Sequence, residues 1–301
     1  MAARQGDLDV GLVVAAHGRH CMVETPEGER LICHPRGKKS DVVVGDRVRW
    51  HSASAAGDEG VIEHVEPRRN VLMRQDEWRT KSFAANVDRL LLLVAAVPPF
   101  SEPQLARALI AAGSAGIDAR IVLNKEDLPQ FAAARERLAP YEAMGVEVLG
   151  VALKAAPEAA MARLAPLVAG QATLVIGPSG AGKSSLVNLL VPGAQAQVGD
   201  ISAALNAGRH TTTASRWYWL DDARTAALID TPGFQEFGLR HIDPASLPAL
   251  MPDVQAHVAG CRFYNCTHRQ EPGCAVRSAA ERGEIAASRY GIYLALRDEL
   301  S

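Results

Sequence analysis

Thr173-Leu174-Val175-Ile176-Gly177-Pro178-Ser179-Gly180-Ala181-Gly182-Lys183-Ser184-Ser185-Leu186-Val187-Asn188-Leu189-Leu190 is the stretch on which the fold turns. A buried-strand pattern runs straight into G-x4-G-K-S and on into helical spacing, the strand, loop and helix context that a phosphate-binding loop requires. The glycines let the backbone turn tightly enough for its N–H groups and the helix N-terminus to face phosphate oxygens. Pro178 removes one N–H, but ahead of the cradle itself. Lys183 is expected to reach the β- and γ-phosphates, as a catalytic residue, and Ser184 to hold Mg²⁺. The expected nucleotide contacts are Gly177, Pro178, Ser179, Gly180, Ala181, Gly182, Lys183, Ser184 and Ser185. A plain glycine-rich turn is the competing reading, and the complete motif in context disfavours it.

Further motifs flank this loop on both sides. Downstream, Asp230-Thr231-Pro232-Gly233 ends the apolar run Ala226–Ile229. Asp230 can bind Mg²⁺ through water there, and the Gly233 N–H can sense a γ-phosphate. Between the two, Gly208-Arg209-His210-Thr211-Thr212-Thr213 precedes the strand-like Trp217–Leu220. A threonine of this run, with Thr212 preferred, is expected to ligate Mg²⁺ as a first switch. Upstream, Asn124-Lys125-Glu126-Asp127 closes the strand pattern Ala119–Leu123. The Asp127 carboxylate can accept two hydrogen bonds from guanine N1–H and its exocyclic amine, where adenine offers no matching donors. Each charged hydrogen bond is worth about 1.5–3 kcal/mol, so the pair discriminates strongly. Asn124 is expected to brace the site and the Lys125 stem to cover the base, with Glu126 completing the motif.

The base motif therefore precedes the phosphate loop, the reverse of the order in ordinary GTPases. Few protein groups use such a rearrangement, and most of them act on ribosomes or RNA. A length of 301 residues leads us to expect two or three domains. From Leu8 to Glu66 short apolar runs at Val10–Val14, Cys21–Val23, Leu31–Cys33, Val42–Val44 with Val48, and Val61–Val65 are split by turns. Five such strands fit an OB-like β-barrel, with an SH3-like barrel as the alternative. The stretch from Pro67 to Asn86 shows no strong periodicity. Strand and helix patterns then alternate, as in a mainly parallel doubly wound sheet, and Ala279–Leu300 has helical spacing.

Bulk properties exclude several classes. Hydrophobic content of 48% and charged content of 22% are those of an ordinary globular chain. The N-terminus lacks a signal-peptide core, and the apolar run Leu90–Val97 is too short to span a bilayer, so a cytoplasmic protein with no membrane partner is expected. A net charge of −2 gives no global footprint of a nucleic-acid binder. Local clusters exist at Arg36, Lys38 and Lys39, and at Arg68, Arg69, Arg74, Arg79 and Lys81, for which a solvated surface is the simpler reading. Of the five cysteines, Cys21 and Cys33 read as small core residues. Cys261, Cys266, His268 and Cys274 crowd into fourteen positions. Three thiolates and an imidazole suit tetrahedral Zn²⁺ with no open coordination site, a structural clip.

Taken in order, the base motif, the phosphate loop, Gly-Arg-His-Thr-Thr-Thr and Asp-x-Pro-Gly, after a small barrel and before a cysteine cluster, resemble the ribosome small subunit-dependent GTPase A family. The resemblance covers almost the whole chain. It implies a multidomain architecture: an N-terminal OB-like β-barrel at 1–68, an α/β circularly permuted P-loop GTPase domain at 69–240, and a C-terminal α-helical zinc-binding domain at 241–301. It also implies GTP hydrolysis to GDP and phosphate, stimulated by the small (30S) ribosomal subunit, with rRNA binding that assists late subunit maturation; a monomer is expected. The family's second base loop, usually Ser-Ala-Lys, corresponds here to Ala152-Leu153-Lys154. Where Ras-like GTPases carry a water-orienting glutamine, this chain has Phe234, so slow intrinsic hydrolysis is expected. His241 is the candidate for positioning that water, against a plain surface role. Two rivals stay open: an ATP-using P-loop enzyme, and a nucleotide-sensing RNA-binding module with incidental turnover. Asp127→Asn should weaken GTP binding roughly a hundredfold, by loss of the charged acceptor pair. A nucleotide competition panel checks this, and ATP preferred over GTP by the unaltered chain overturns the guanine assignment.

Overall fold

The computed structural model describes residues 8–17, 20–37, 41–53, 59–75, 80–194, 215–231, 237 and 239–301. Alternating apolar residues in the N-terminal segment form β1 (Asp9–His17), β2 (His20–Glu24), β3 (Arg30–Pro35), β4 (Arg47–Ser52) and β5 (Glu59–Val65). Their order is β1-β2-β3-β5-β4, with β4 pairing back onto β1 and β3 running parallel to β5. This closed order is that of an OB barrel and settles the choice against an SH3-like one. Val13, Cys21, Val23, Cys33, Val48, Trp50 and Ile62 fill its interior. Burial pushes both the Cys21 and Cys33 thiols up to about 12, which leaves them inert core groups.

The expected fourth strand is displaced. Val42–Val44 lies outside β4 in a buried turn, where the Asp46 carboxylate accepts from Val43 N at 2.8 Å and from Arg68 Nε at 2.7 Å. Arg68 is thus a structural cation under the barrel, and Arg36 is likewise paired with Glu63 at 2.5 Å. The stretch without periodicity holds a hairpin of β6 (Val71–Gln75) and β7 (Thr80–Ala85), docked where Val44 bridges Ala84.

The central layer follows. Its elements are β8 (Arg89–Ala95), α1 (Glu102–Ser114), β9 (Asp118–Asn124), α2 (Phe131–Glu136), α3 (Ala139–Ala143), β10 (Val148–Val151), α4 (Pro157–Val168), β11 (Ala172–Ile176), α5 (Lys183–Leu190), β12 (Arg216–Trp219) and β13 (Ala227–Asp230). The sheet runs β10-β9-β8-β11-β13-β12, parallel except for β12. After β8 the chain builds outward on one side, then returns to β11 on the other. This makes the seam between β8 and β11 a switch point, where ligands bind in open α/β sheets. The barrel joins at the far edge, where Ala15 of β1 pairs with Arg216 of β12. Buried Glu24 secures the joint, taking Trp219 Nε1 at 2.6 Å and Arg30 Nε at 2.8 Å.

A short 3₁₀ helix, Pro244–Leu250, leads into α6 (Pro252–Val258), α7 (Ala275–Glu281) and α8 (Ala287–Leu300). The helical spacing over Ala279–Leu300 is realised as the end of α7 and the whole of α8, parted at Gly283 with φ +76°. Leu247, Val254, Val276, Ile292 and Leu296 share one core with Leu105 and Ile110 of α1. Among the described residues no helix is long and apolar enough to cross a membrane. The joint is pinned by Arg289, whose guanidinium pairs with Asp253 at 2.8 Å and lies 5.0 Å from the Tyr141 ring centroid. Arg289→Ala would leave the largely buried Asp253 charge without its partner, and thermal or urea unfolding should register a loss of about 3–5 kcal/mol. Adding Asp253→Asn to that variant should recover part of the loss.

Candidate nucleotide site and metal cluster

Parallel strands deliver their carboxyl ends to one edge, and here each end carries a motif. The base motif follows β9, Ala152–Lys154 follows β10, the phosphate loop follows β11, and Asp230 ends β13. A cavity of about 510 Å³ opens among the first three. It is lined by Asn124, Lys125, Asp127, Leu128, Lys154, Gly177, Pro178, Ser179, Gly180, Gly182, Lys183, Ser184 and Ser185. Two residues expected at the nucleotide are not on its wall. Ala181, within the loop, is fully buried. Glu126 turns away, with its carboxylate on Arg163 at 2.7 Å. Lys154 had a position in the chain that hinted at this role, since it follows a buried strand at the same edge. Leu128 carried no comparable signal.

Asn124 holds the three loops together. It is 4% exposed; its Nδ2 donates to the Ala181 carbonyl at 2.8 Å and its Oδ1 accepts from Leu153 N at 3.1 Å. Two glycines make the approach workable. A Cβ on Gly182, at φ +106°, would lie 2.3 Å from Asn124 Nδ2, and one on Gly177 would lie 2.4 Å from the Leu93 carbonyl oxygen. Lys125, with φ +68°, donates from Nζ to the Val97 carbonyl, which lays its stem along the cavity rim. On the phosphate side Lys183 Nζ meets Asp230 Oδ1 at 2.5 Å. Thr231, not singled out in the sequence, donates its hydroxyl to the Val175 carbonyl at 3.2 Å and ties the start of the second switch to β11. Thr212, Gly233 and Phe234 lie outside the described residues. His241 is exposed in a turn closed by Ile242 N donating to the Leu239 carbonyl, and it does not line the cavity.

The ligand atoms of Cys261, Cys266, His268 and Cys274 all lie within 4.8 Å of one another. His268 Nδ1 faces the sulfurs, 3.4 Å from Cys261 and 3.6 Å from Cys274. Burial, with the neighbouring Cys274 and Cys261, pushes the Cys266 thiol up to about 12. Thiols packed so closely deprotonate together only around a cation, so the donor set fits a metal ion. Helix α8 clamps the cluster, Tyr290 and Tyr293 donating to the carbonyls of His268 and Thr267 at 2.8 and 3.1 Å. Glu271 organises the intervening turn. Burial alone would raise its carboxyl, but the Thr267 hydroxyl and the amides of Thr267, Arg269 and Gln270 overcome this and hold it at about 2.

A permuted α/β sheet with a guanine-type base motif, a phosphate loop and an OB barrel ahead of them defines the class: a circularly permuted GTPase. Comparison with known proteins gives the family. The RsgA GTPase family profile matches residues 65–240. The chain is 62% identical over 296 residues to the small ribosomal subunit biogenesis GTPase RsgA of Variovorax paradoxus (strain S110), covering 97% of this chain and 92% of that one. It is 51% identical over 302 residues to the protein of the same name from Burkholderia pseudomallei (strain K96243), covering 100% and 95%. Among solved structures, YjeQ from Thermotoga maritima superposes with a TM-score of 0.73 at 30% identity, covering 97% and 98%. YloQ, described as a circularly permuted GTPase, gives 0.69 at 26% identity, covering 99% and 98%. The chain belongs to the RsgA GTPase family and is a GTP hydrolase.

Glu271→Gln should speed amide exchange at Thr267, Arg269 and Gln270 at neutral pH. Because the folded carboxyl is held below its ordinary 4.5, the ionised form stabilises the turn above about pH 4.5 and the effect is lost towards about pH 2. The gap between the two proteins should close over that window, as read by exchange mass spectrometry.

Proposed function

We propose that this GTPase acts in the cytoplasm as a monomer on the small ribosomal subunit, binding its rRNA and assisting late maturation. The names of its relatives, small ribosomal subunit biogenesis GTPases, support the target. The observation that carries guanine nucleotide chemistry is one cavity holding Asp127, Lys154 and the phosphate loop together, tied by Asn124. In this reading Asp127 takes the guanine donors, Lys125 and Lys154 flank the base, and the backbone N–H groups of the phosphate loop beyond Pro178 receive the phosphates. The domain limits 1–68, 69–240 and 241–301 go with it, as barrel, GTPase and metal-binding parts.

Ser184 and Asp230, with Thr212 from the first switch, would hold Mg²⁺, which supplies charge neutralisation on the β- and γ-phosphates. Lys183, paired with Asp230 at the end of the second-switch strand, stands at the phosphate end of the cavity, where its Nζ would reach the β- and γ-phosphate oxygens. Gly233 would then sense the γ-phosphate through its N–H. Cys261, Cys266, His268 and Cys274 would hold one structural Zn²⁺, because a complete soft donor set leaves no position for substrate.

Phe234 offers no group to orient water, so turnover without the subunit is slow in this reading. His241 is assigned to that task once the subunit reorders its exposed turn. Purified small subunits should raise phosphate release by at least tenfold, and His241→Ala should lower the stimulated rate by about a hundredfold. No stimulation would overturn the subunit assignment, and unchanged stimulated turnover in the variant would withdraw His241 alone.

A further inference from the structure

Two consecutive aromatic residues stand in solvent on the metal-binding loop. Tyr264 is 102% exposed and Phe263 41%, whereas nearly all other large apolar side chains in the described residues are covered. A tyrosine ring left wholly in water forgoes the burial that normally justifies an aromatic, and such exposure marks a contact surface. The loop presenting it is fixed at both ends. Cys261 and Cys266 bracket it, Arg262 N donates to the Gly273 carbonyl at 3.0 Å, and Cys266 N donates to the Phe263 carbonyl at 3.2 Å. A ring held on so short a tether loses little freedom when it is covered.

We infer that Tyr264 is a stacking residue for an unpaired RNA base, with Arg262 and Asn265 taking the adjoining phosphate or base edge. The chemistry of the tip selects this occupant. Arg262 is exposed, its guanidinium 5.5 Å from the Phe263 ring centroid, so a cation and two π faces are offered together. The carboxylate of the following turn, Glu271, accepts hydrogen bonds from Thr267, Arg269 and Gln270, which keeps it engaged within its own turn. Aromatic face, guanidinium and amide in one place match the stacking platforms that proteins use for unpaired bases. The inference rests on the small-subunit reading and adds to it a residue and a mode of contact. It gives the metal a purpose beyond folding, since the ion would hold the platform at its working angle.

The test compares the full-length protein with Tyr264→Ala, Tyr264→Phe and Tyr264→Trp, on purified small subunits and on protein-free small-subunit rRNA. Tyr264→Ala should bind both about tenfold more weakly, while Phe and Trp keep affinity, with zinc content and unstimulated GTP hydrolysis unchanged. Equal binding by Tyr264→Ala overturns the inference. A loss on subunits but none on the free rRNA also overturns it, because the ring then meets a ribosomal protein. If the free rRNA shows the Tyr264 dependence but subunits do not stimulate hydrolysis, the stacking role stands and the wider functional reading fails.

Discussion

The side-chain amide of Asn124 is the constraint on which the nucleotide site depends. One buried group donates to the phosphate loop at Ala181 and accepts from the loop after β10 at Leu153, so three segments from different strands keep one spacing. Leaving either partner unmade in that interior would cost more than the bond gains in water, and this asymmetry makes the geometry unique. Gly182 has to be a glycine for the same reason, since any Cβ would occupy the position of the amide.

The permutation becomes intelligible against this geometry. A parallel sheet delivers every carboxyl end to one edge whatever the order in which the strands are made. The base motif on β9 and the phosphate loop after β11 therefore meet across β8 just as they would in an unpermuted chain. What changes is where the chain goes after the second switch. Here it passes from Asp230 to Phe237, Leu239 and Ile242, all buried in the core that also holds the C-terminal helices. Phe237 packs against Phe83 of the β6–β7 hairpin, with ring centroids 5.8 Å apart. The segment after the switch is thus anchored between the hairpin and the metal-binding part.

Some elements were legible because their signal is local. The strand entering the phosphate loop, the base motif at a strand end and the crowded cysteines each carry their chemistry within a few residues. Others were not. The hairpin at Val71–Gln75 and Thr80–Ala85 mixes polar and apolar residues without a clean period, and it owes its place to Val44 and Phe237, which are remote in sequence. Val42–Val44 has strand composition but is drawn into a turn by the buried Asp46 carboxylate and Arg68. Glu126 belongs to a nucleotide motif by pattern, yet Arg163 on α4 turns it outward.

The sequence by itself determined the kind of chemistry: phosphate from the glycines and Lys183, guanine from Asp127, and a soft metal from three cysteines and a histidine. Those expectations rest on residue type and short spacing, which fix the atoms available. Only the tertiary structure decided that the barrel closes in the OB order, that Lys154 joins the cavity while Glu126 leaves it, and that Tyr264 stands in water. Each of these depends on which distant elements pack together, and a one-dimensional pattern does not encode that distance.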